Sequence, residues 1–361
     1  MKKKLFIIAI IIFLFHLVFR IYDYRDAYLT PYDAAFWEDL YKNSQWVIPN
    51  SKTPIGDDGV YTYAGWEYIH GQDPSTLNAE LPPLGKYLIG ISEVVFLNQN
   101  IFALFSGILF LGALYYLGFV IFNKHFFAFL PVLLISLEPL FYTQLRVTLL
   151  DTLYGGLLFF TFAFFIKKKY IISFLFLGLA AATKSAISTF ALVLFVTCLF
   201  LLITKQWKEI KRYVIGIPFA ALTFLLSYIQ YFSLGNSFIE FLKVQKWIVT
   251  FYADGAKGSL TAPWELLFTG SYSNWFGTTT QVTDWHFGWT ILLLLSLASI
   301  YILIRKRIMK PVSFLGIWIL AYLLFLSLVP IWPRYFLLLL PSMYIVSLWV
   351  YMHYVKVKKV Y

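Results

Sequence analysis

The chain has 361 residues, of which 60% are hydrophobic and 13% charged, about half the ~25% charge usual for a soluble domain. With a mean hydropathy of +0.73, this composition excludes a soluble fold and marks an integral membrane protein. The net charge of +11 invites a nucleic-acid reading, but the placement of the charges, set out below, assigns it to membrane topology and leaves nucleic acid out as a partner.

A membrane-crossing helix needs about 20 apolar residues, and ten stretches qualify. The first, 5–22, follows Lys2-Lys3-Lys4 and has the outline of a signal peptide. It ends Phe19-Arg20-Ile21-Tyr22 with no small-x-small cleavage site, so it reads as an uncleaved first span. A long polar segment, 24–86, comes next and holds nine acidic residues. The apolar stretches then resume at 100–122, 126–144, 148–166, 170–188, 189–204 and 213–232, with Lys184 marking the turn between two that would otherwise run together. A second long loop, 233–286, carries Trp247, Trp264, Trp275 and Trp285 and precedes the last stretches at 287–304, 312–330 and 335–354. The single cysteine, Cys198, lies inside an apolar run and has no partner for a disulfide within the chain. The sequence therefore predicts one all-α polytopic membrane domain over 1–361, with ten spans and two long loops.

Charge sets the sidedness. With the N-terminus inside, the cytoplasmic segments are 1–4, 123–125, 167–169, 205–212, 305–311 and 355–361, and they hold 18 of the 29 Lys and Arg residues but only one acid, Glu209. Short basic loops stay in the cytoplasm, so both termini are expected inside and both long loops outside. Mass gathered on one face, with no internal repeat, suits an enzyme of the outer leaflet better than a transporter built from inverted repeats.

Several constellations could carry chemistry. Asp33 follows the first span by about ten residues and is placed near the membrane surface. It suits a general base that takes a proton from an acceptor hydroxyl, or equally a helix N-cap after Thr30-Pro31; Glu38 and Asp39 compete for the first role. Leu81-Pro82-Pro83-Leu84-Gly85-Lys86 is an extended entry fixed by its prolines, and Lys86 is either a site residue or an interfacial lysine reaching for water. Arg146 and Asp151 stand at the outer ends of two spans and form either a site or a structural pair. Lys184 and Arg334 are lone outer cations suited to a phosphate, Arg through its planar fork and Lys as a point charge, or to ordinary lipid headgroups. Glu138 lies just inside its span. There is no Walker loop or dinucleotide fingerprint, and the five histidines show no metal-ligand spacing. No cofactor is required by the sequence; a divalent cation near Asp33 stays open, without a ligand cluster that demands one.

The order of these motifs resembles that of the dolichyl-phosphate-mannose protein mannosyltransferases and their prokaryotic relatives, integral-membrane glycosyltransferases of the C-type fold that include aminoarabinose-transferase-like enzymes. In that family an Asp-Glu motif in the first outer loop precedes His-Pro-Pro-Leu-Gly-Lys, then an Arg near Leu-Leu-Asp, a Thr-Lys turn and a late Arg-Tyr. Here the matching positions are Asp33, Leu81 through Lys86, Arg146 with Leu149-Leu150-Asp151, Thr183-Lys184 and Arg334-Tyr335. Ala34 stands where the second acid belongs, Leu81 replaces the His, and the later loop lacks the family's His-Pro-Tyr. The resemblance implies inverting transfer of mannose or a similar hexose from a polyprenyl-phosphate donor to an acceptor hydroxyl at the outer face of a prokaryotic plasma membrane. Asp33 would be the base, and Lys86, Arg146, Asp151, Lys184 and Arg334 would bind substrate. The acceptor is a protein, a lipid or a glycan. The rival from another class is a non-enzymatic transporter of lipid-linked sugar, which the nearly charge-free inner halves of the spans disfavour.

Overall fold

A computed structural model describes residues 2–254, 259–273 and 278–355. Helix α1 (Lys2–Asp23) presents most of its apolar side chains outward, as a lipid-facing span does. The first long loop then forms α2 (Arg25–Leu29), α3 (Ala34–Lys42), α4 (Asp57–Ile69) and α5 (Leu84–Phe96). Helices α4 and α5 cross closely because glycine meets glycine: a Cβ on Gly90 would stand 2.2 Å from the Gly65 carbonyl oxygen. At 13 residues, α5 is too short to cross a bilayer.

Helix α6 (Asn100–Phe122) ends on Asn123 in the left-handed conformation that terminates helices. Helix α7 (His125–Ser136) stops before Glu138, and Pro139 starts α8 (Pro139–Tyr142), which runs into a 3₁₀ turn at Thr143–Arg146. The single span expected over 126–144 is thus broken, with a bend of 73°, because Pro139 offers no N–H to continue α7.

The apolar stretches that follow are α9 (Asp151–Ile166), α10 (Tyr170–Thr183) and α11 (Ala186–Ile203). The turn between α10 and α11 falls at Lys184, as expected, although α11 begins three residues before the predicted 189. Helix α12 (Trp207–Val214) is short and amphipathic, and the span expected at 213–232 is divided into α13 (Ile217–Leu226) and α14 (Ile229–Ser233). The second long loop folds as α15 (Phe238–Asp254), α16 (Ala262–Thr269) and a small antiparallel hairpin, β1 (Ser271–Ser273) with β2 (Thr279–Gln281), Tyr272 opposite Thr280. Helices α17 (Gly288–Arg305) and α18 (Pro311–Leu326), a 3₁₀ segment at Pro333–Leu338, and α19 (Leu340–Val350) close the described chain.

Among the described residues, five helices are long and apolar enough to cross a membrane, or six with the bent α7–α8 pair, and α9, α10 and α18 are shorter apolar helices. The architecture is the all-α polytopic one the sequence predicts. Its core joins α6, α9 and α17 to α19 around Phe110, Phe162, Trp289, Trp318 and Phe336, all fully buried.

Side-chain hydrogen bonds fasten loop 1 to this bundle. Thr148 donates its one hydroxyl proton to the Asp58 carbonyl (2.8 Å), so Thr62 must be the donor in the 2.8 Å Thr62–Thr148 contact. These bonds hold the start of α4 three residues before Asp151. At its other end α4 is tied to α14, where Gln230 donates to the carbonyls of Tyr68 (2.9 Å) and Gln72 (2.7 Å).

Candidate active site

Four charged residues from four segments converge at one end of the bundle. Asp57 opens α4 and Asp151 opens α9, positions where a helix N-terminus favours an anion. Lys184 stands at the break between α10 and α11. Arg334 follows Pro333 in the 3₁₀ segment before α19. Arg334 lies between the two acids: Nη2 donates to Asp57 Oδ2, and Nε is 3.3 Å from Asp151 Oδ2. The latter is an ion pair without hydrogen-bond alignment, so the buried Arg334 Nε–H has no acceptor. Lys184 donates to Asp151 Oδ1 and sits 4.4 Å above the Tyr335 ring.

Side-chain exposure is 7% for Asp151, 15% for Lys184, 18% for Arg334 and 39% for Asp57. Asp57 is therefore the member that a solvent-borne group reaches most readily. Tyr61, buried on α4, lies within electrostatic reach of Asp57, Arg334 and Asp151; burial and then Asp57 push its phenol well up, so it stays protonated.

Beside this cluster is a second buried polar knot. Lys86 is fully buried and donates to the Asn78 carbonyl (2.6 Å), the Asn78 side chain (3.1 Å) and the Leu81 carbonyl (2.9 Å). Its ammonium has three N–H groups, and this set occupies them. Asn78 adopts a left-handed backbone (φ 50°) and gives its amide to Glu80. Burial lowers the Lys86 ammonium against the pull of Glu80, and burial raises the Glu80 carboxyl against the pull of Lys86, with Asp57 adding to the rise. Lys86 thus braces the segment ahead of the proline motif.

Of the residues expected from sequence, Asp151, Lys184 and Arg334 are brought together and the others are not. Asp33 is exposed, caps α3 by accepting the Phe36 N–H (3.0 Å), and enters none of the cluster's ion pairs. Glu38 pairs with Lys42 and Asp39 binds Asn43, both on the surface of α3. The Arg146–Asp151 pair considered above does not form. Arg146 is exposed and stacks 5.0 Å from the Tyr24 ring, without an ion pair, while Asp151 is committed to Lys184 and Arg334. The 3₁₀ turn and the extended Val147 send Arg146 and Asp151 in different directions.

Sequence reasoning missed Asp57. The signal was present as Gly56-Asp57-Asp58, an adjacent acid pair at the start of a helix and ahead of the proline motif. Asp33 masked it by its proximity to the first span. Among the described residues, no three His, Cys, Asp or Glu side chains converge to hold a metal.

The fold is that of an all-α polytopic membrane protein. Two solved structures of ArnT from Cupriavidus metallidurans share it: the apo state with a TM-score of 0.63 and the form bound to undecaprenyl phosphate with 0.64, each at 17% identity over 83% of this chain. The chain spans little more than half of those proteins, 55% and 56% of their length. No family model and no curated protein sequence matches.

Proposed function

We propose that the chain is an inverting glycosyltransferase that moves a sugar, a hexose such as mannose, from a polyprenyl-phosphate donor to an acceptor hydroxyl, and that its site is the Asp57–Arg334–Asp151–Lys184 cluster. The observation that carries the reading is the cluster itself. Two cations and two carboxylates balance one another where the loops meet the bundle, and one guanidinium N–H is left without an acceptor. The ArnT fold, solved with undecaprenyl phosphate, supports a lipid phosphate as the donor's leaving group.

In this scheme Asp57 accepts the proton of the acceptor O–H. The acceptor oxygen forms its bond to the anomeric carbon from the face opposite the phosphate. The carbon–oxygen bond to phosphate breaks, and the phosphate departs with the electron pair, which inverts the anomeric centre. Arg334 and Lys184 meet the charge that grows on the phosphate, an electrostatic contribution typically larger than any other single one. Asp151 orients both cations. When phosphate draws Arg334, Asp57 is released from its ion pair and its oxygens are free to meet the acceptor hydroxyl. The basic short loops of the sequence support a site at the outer face of the membrane.

The test is incubation of purified protein with radiolabelled polyprenyl-phosphate sugars and mixed protein, lipid and glycan acceptors, with the anomeric configuration of the product read by NMR. Transfer with inversion is expected. No transfer from any donor overturns the reading and restores the transporter alternative, whereas transfer with retention overturns the inverting scheme.

A further inference from the structure

Glu138 is a buried carboxylate that the transfer scheme leaves unused. It lies at the bend between α7 and α8, 4% exposed, and three residues from two segments supply its partners. Its Oε2 takes the Trp289 indole N–H (3.2 Å) and lies 3.0 Å from His286 Nε2; its Oε1 takes the Tyr344 hydroxyl (2.8 Å). His286 and Trp289 mark the start of α17 and Tyr344 belongs to α19. An acid at this depth is costly unless it is paired or used, and the bend does not need it, because Pro139 already breaks the helix.

The contacts lead onward to the site. The Trp289 ring stacks on Phe336, centroids 6.1 Å apart and planes 17° off parallel. Phe336 is two residues after Arg334 in the same 3₁₀ segment. That segment is pinned from its other side by Tyr322, which donates to the Tyr335 carbonyl (3.1 Å), and by Trp318, which donates to the Leu338 carbonyl (3.1 Å). From Glu138 the chain also runs through α8 and the 3₁₀ turn to Asp151.

We propose that Glu138 is a positioning residue for the site: it fixes Trp289, and through Phe336 the Arg334 segment, so that the guanidinium lies between Asp57 and Asp151 and can turn to a lipid phosphate. This rests on the donor-phosphate reading given above. The role is distinct from holding the fold, because the fold needs only that α17 and α19 pack, whereas the site needs Arg334 in one register.

The experiment uses the full chain in detergent with undecaprenyl phosphate as the probe, and two double-mutant cycles between Glu138 and Arg334, one in lipid affinity and one in thermal stability without lipid. Glu138→Ala is expected to weaken binding ~10-fold, and Trp289→Phe, which keeps the ring stack and loses one hydrogen bond, ~3-fold, with a lower melting temperature from the space the smaller ring leaves. Glu138→Gln recovers part of the affinity. The Glu138→Ala/Arg334→Ala double variant binds no more weakly than Arg334→Ala alone, since both remove one phosphate contact. Additive losses in both cycles overturn the proposal, as does a Glu138→Ala protein that only melts earlier. If the wild type fails to bind undecaprenyl phosphate, the donor reading falls by itself, and the stability cycle decides whether Glu138 holds Arg334.

Discussion

The two halves of loop 1 are alike in composition and opposite in behaviour. The first half carries Asp33, Glu38 and Asp39 on α3, a helix none of whose residues is buried. The second carries Asp57 and Asp58 at the head of α4, which buries most of its length. Both halves place an acid at a helix start, so local chemistry does not separate them. What differs is the partner: Asp33 spends its carboxylate on the Phe36 N–H, whereas Asp57 meets Arg334, 277 residues away in sequence. An acid becomes a candidate for chemistry here by being carried to opposed charges from the bundle.

The largest test of that contrast removes each of the two carboxylates in turn. Asp57→Asn should lower transfer by ~10²–10⁴-fold, the usual share of a general base, in protein that still assembles in the membrane. Asp33→Ala should leave the rate within ~3-fold and cost only the ~1 kcal/mol of a lost helix cap. Radiolabel transfer and melting curves on the same preparations check both; equal rate losses at the two positions would erase the distinction between the halves.

Arg334→Ala comes next. It strips a buried cation from Asp151, and breaking such a pair costs ~3–5 kcal/mol, so the variant should melt markedly earlier as well as lose undecaprenyl phosphate binding. Arg334→Lys should recover part of the stability and little of the function, because an ammonium lacks the fork that spans two acids. Full function in the Lys variant would show that point charge alone suffices.

A third effect, on stability alone, concerns Glu93, which sits on α5 where the backbone of Tyr32, in the first half of the loop, reaches Leu97. Both carboxyl oxygens are buried without a partner, and burial pushes the group up to about 9 from an ordinary 4.5. The folded chain keeps a proton there that the unfolded chain loses, so stability falls as pH rises from 4.5 toward about 9. The limiting slope is ~1.4 kcal/mol per pH unit. Glu93→Gln should flatten that dependence and raise the melting temperature at pH ~8; an unchanged slope would place the titration elsewhere.

Arg146→Ala is the mildest. With a single ring contact to Tyr24, it should cost ~0.5–1 kcal/mol and leave donor affinity nearly untouched. A loss comparable to that of Arg334→Ala would bring Arg146 back among the phosphate ligands.

Legibility from sequence followed interaction range. Apolar run lengths marked the apolar helices from α6 onward but not α12, α15 or α16, because lipid demands long apolar stretches whatever the tertiary contacts. The break at Pro139 and the division at 213–232 were harder, since an unbroken hydropathy window does not report a backbone bend. Lys184 and Arg334 were visible as cations isolated in oil, and Asp151 as an acid at a span end. Lys86 was visible too, but its saturation by the Asn78 and Leu81 carbonyls depends on a loop folding back over it.

By itself, then, the sequence determined an all-α polytopic membrane protein and a short set of charges too costly to be incidental. Only the tertiary structure decided which acid joins them. Burial and charge pairing are set by residues distant in sequence, and Asp57 differs from Asp33 in heading a buried helix with Arg334 brought to its side.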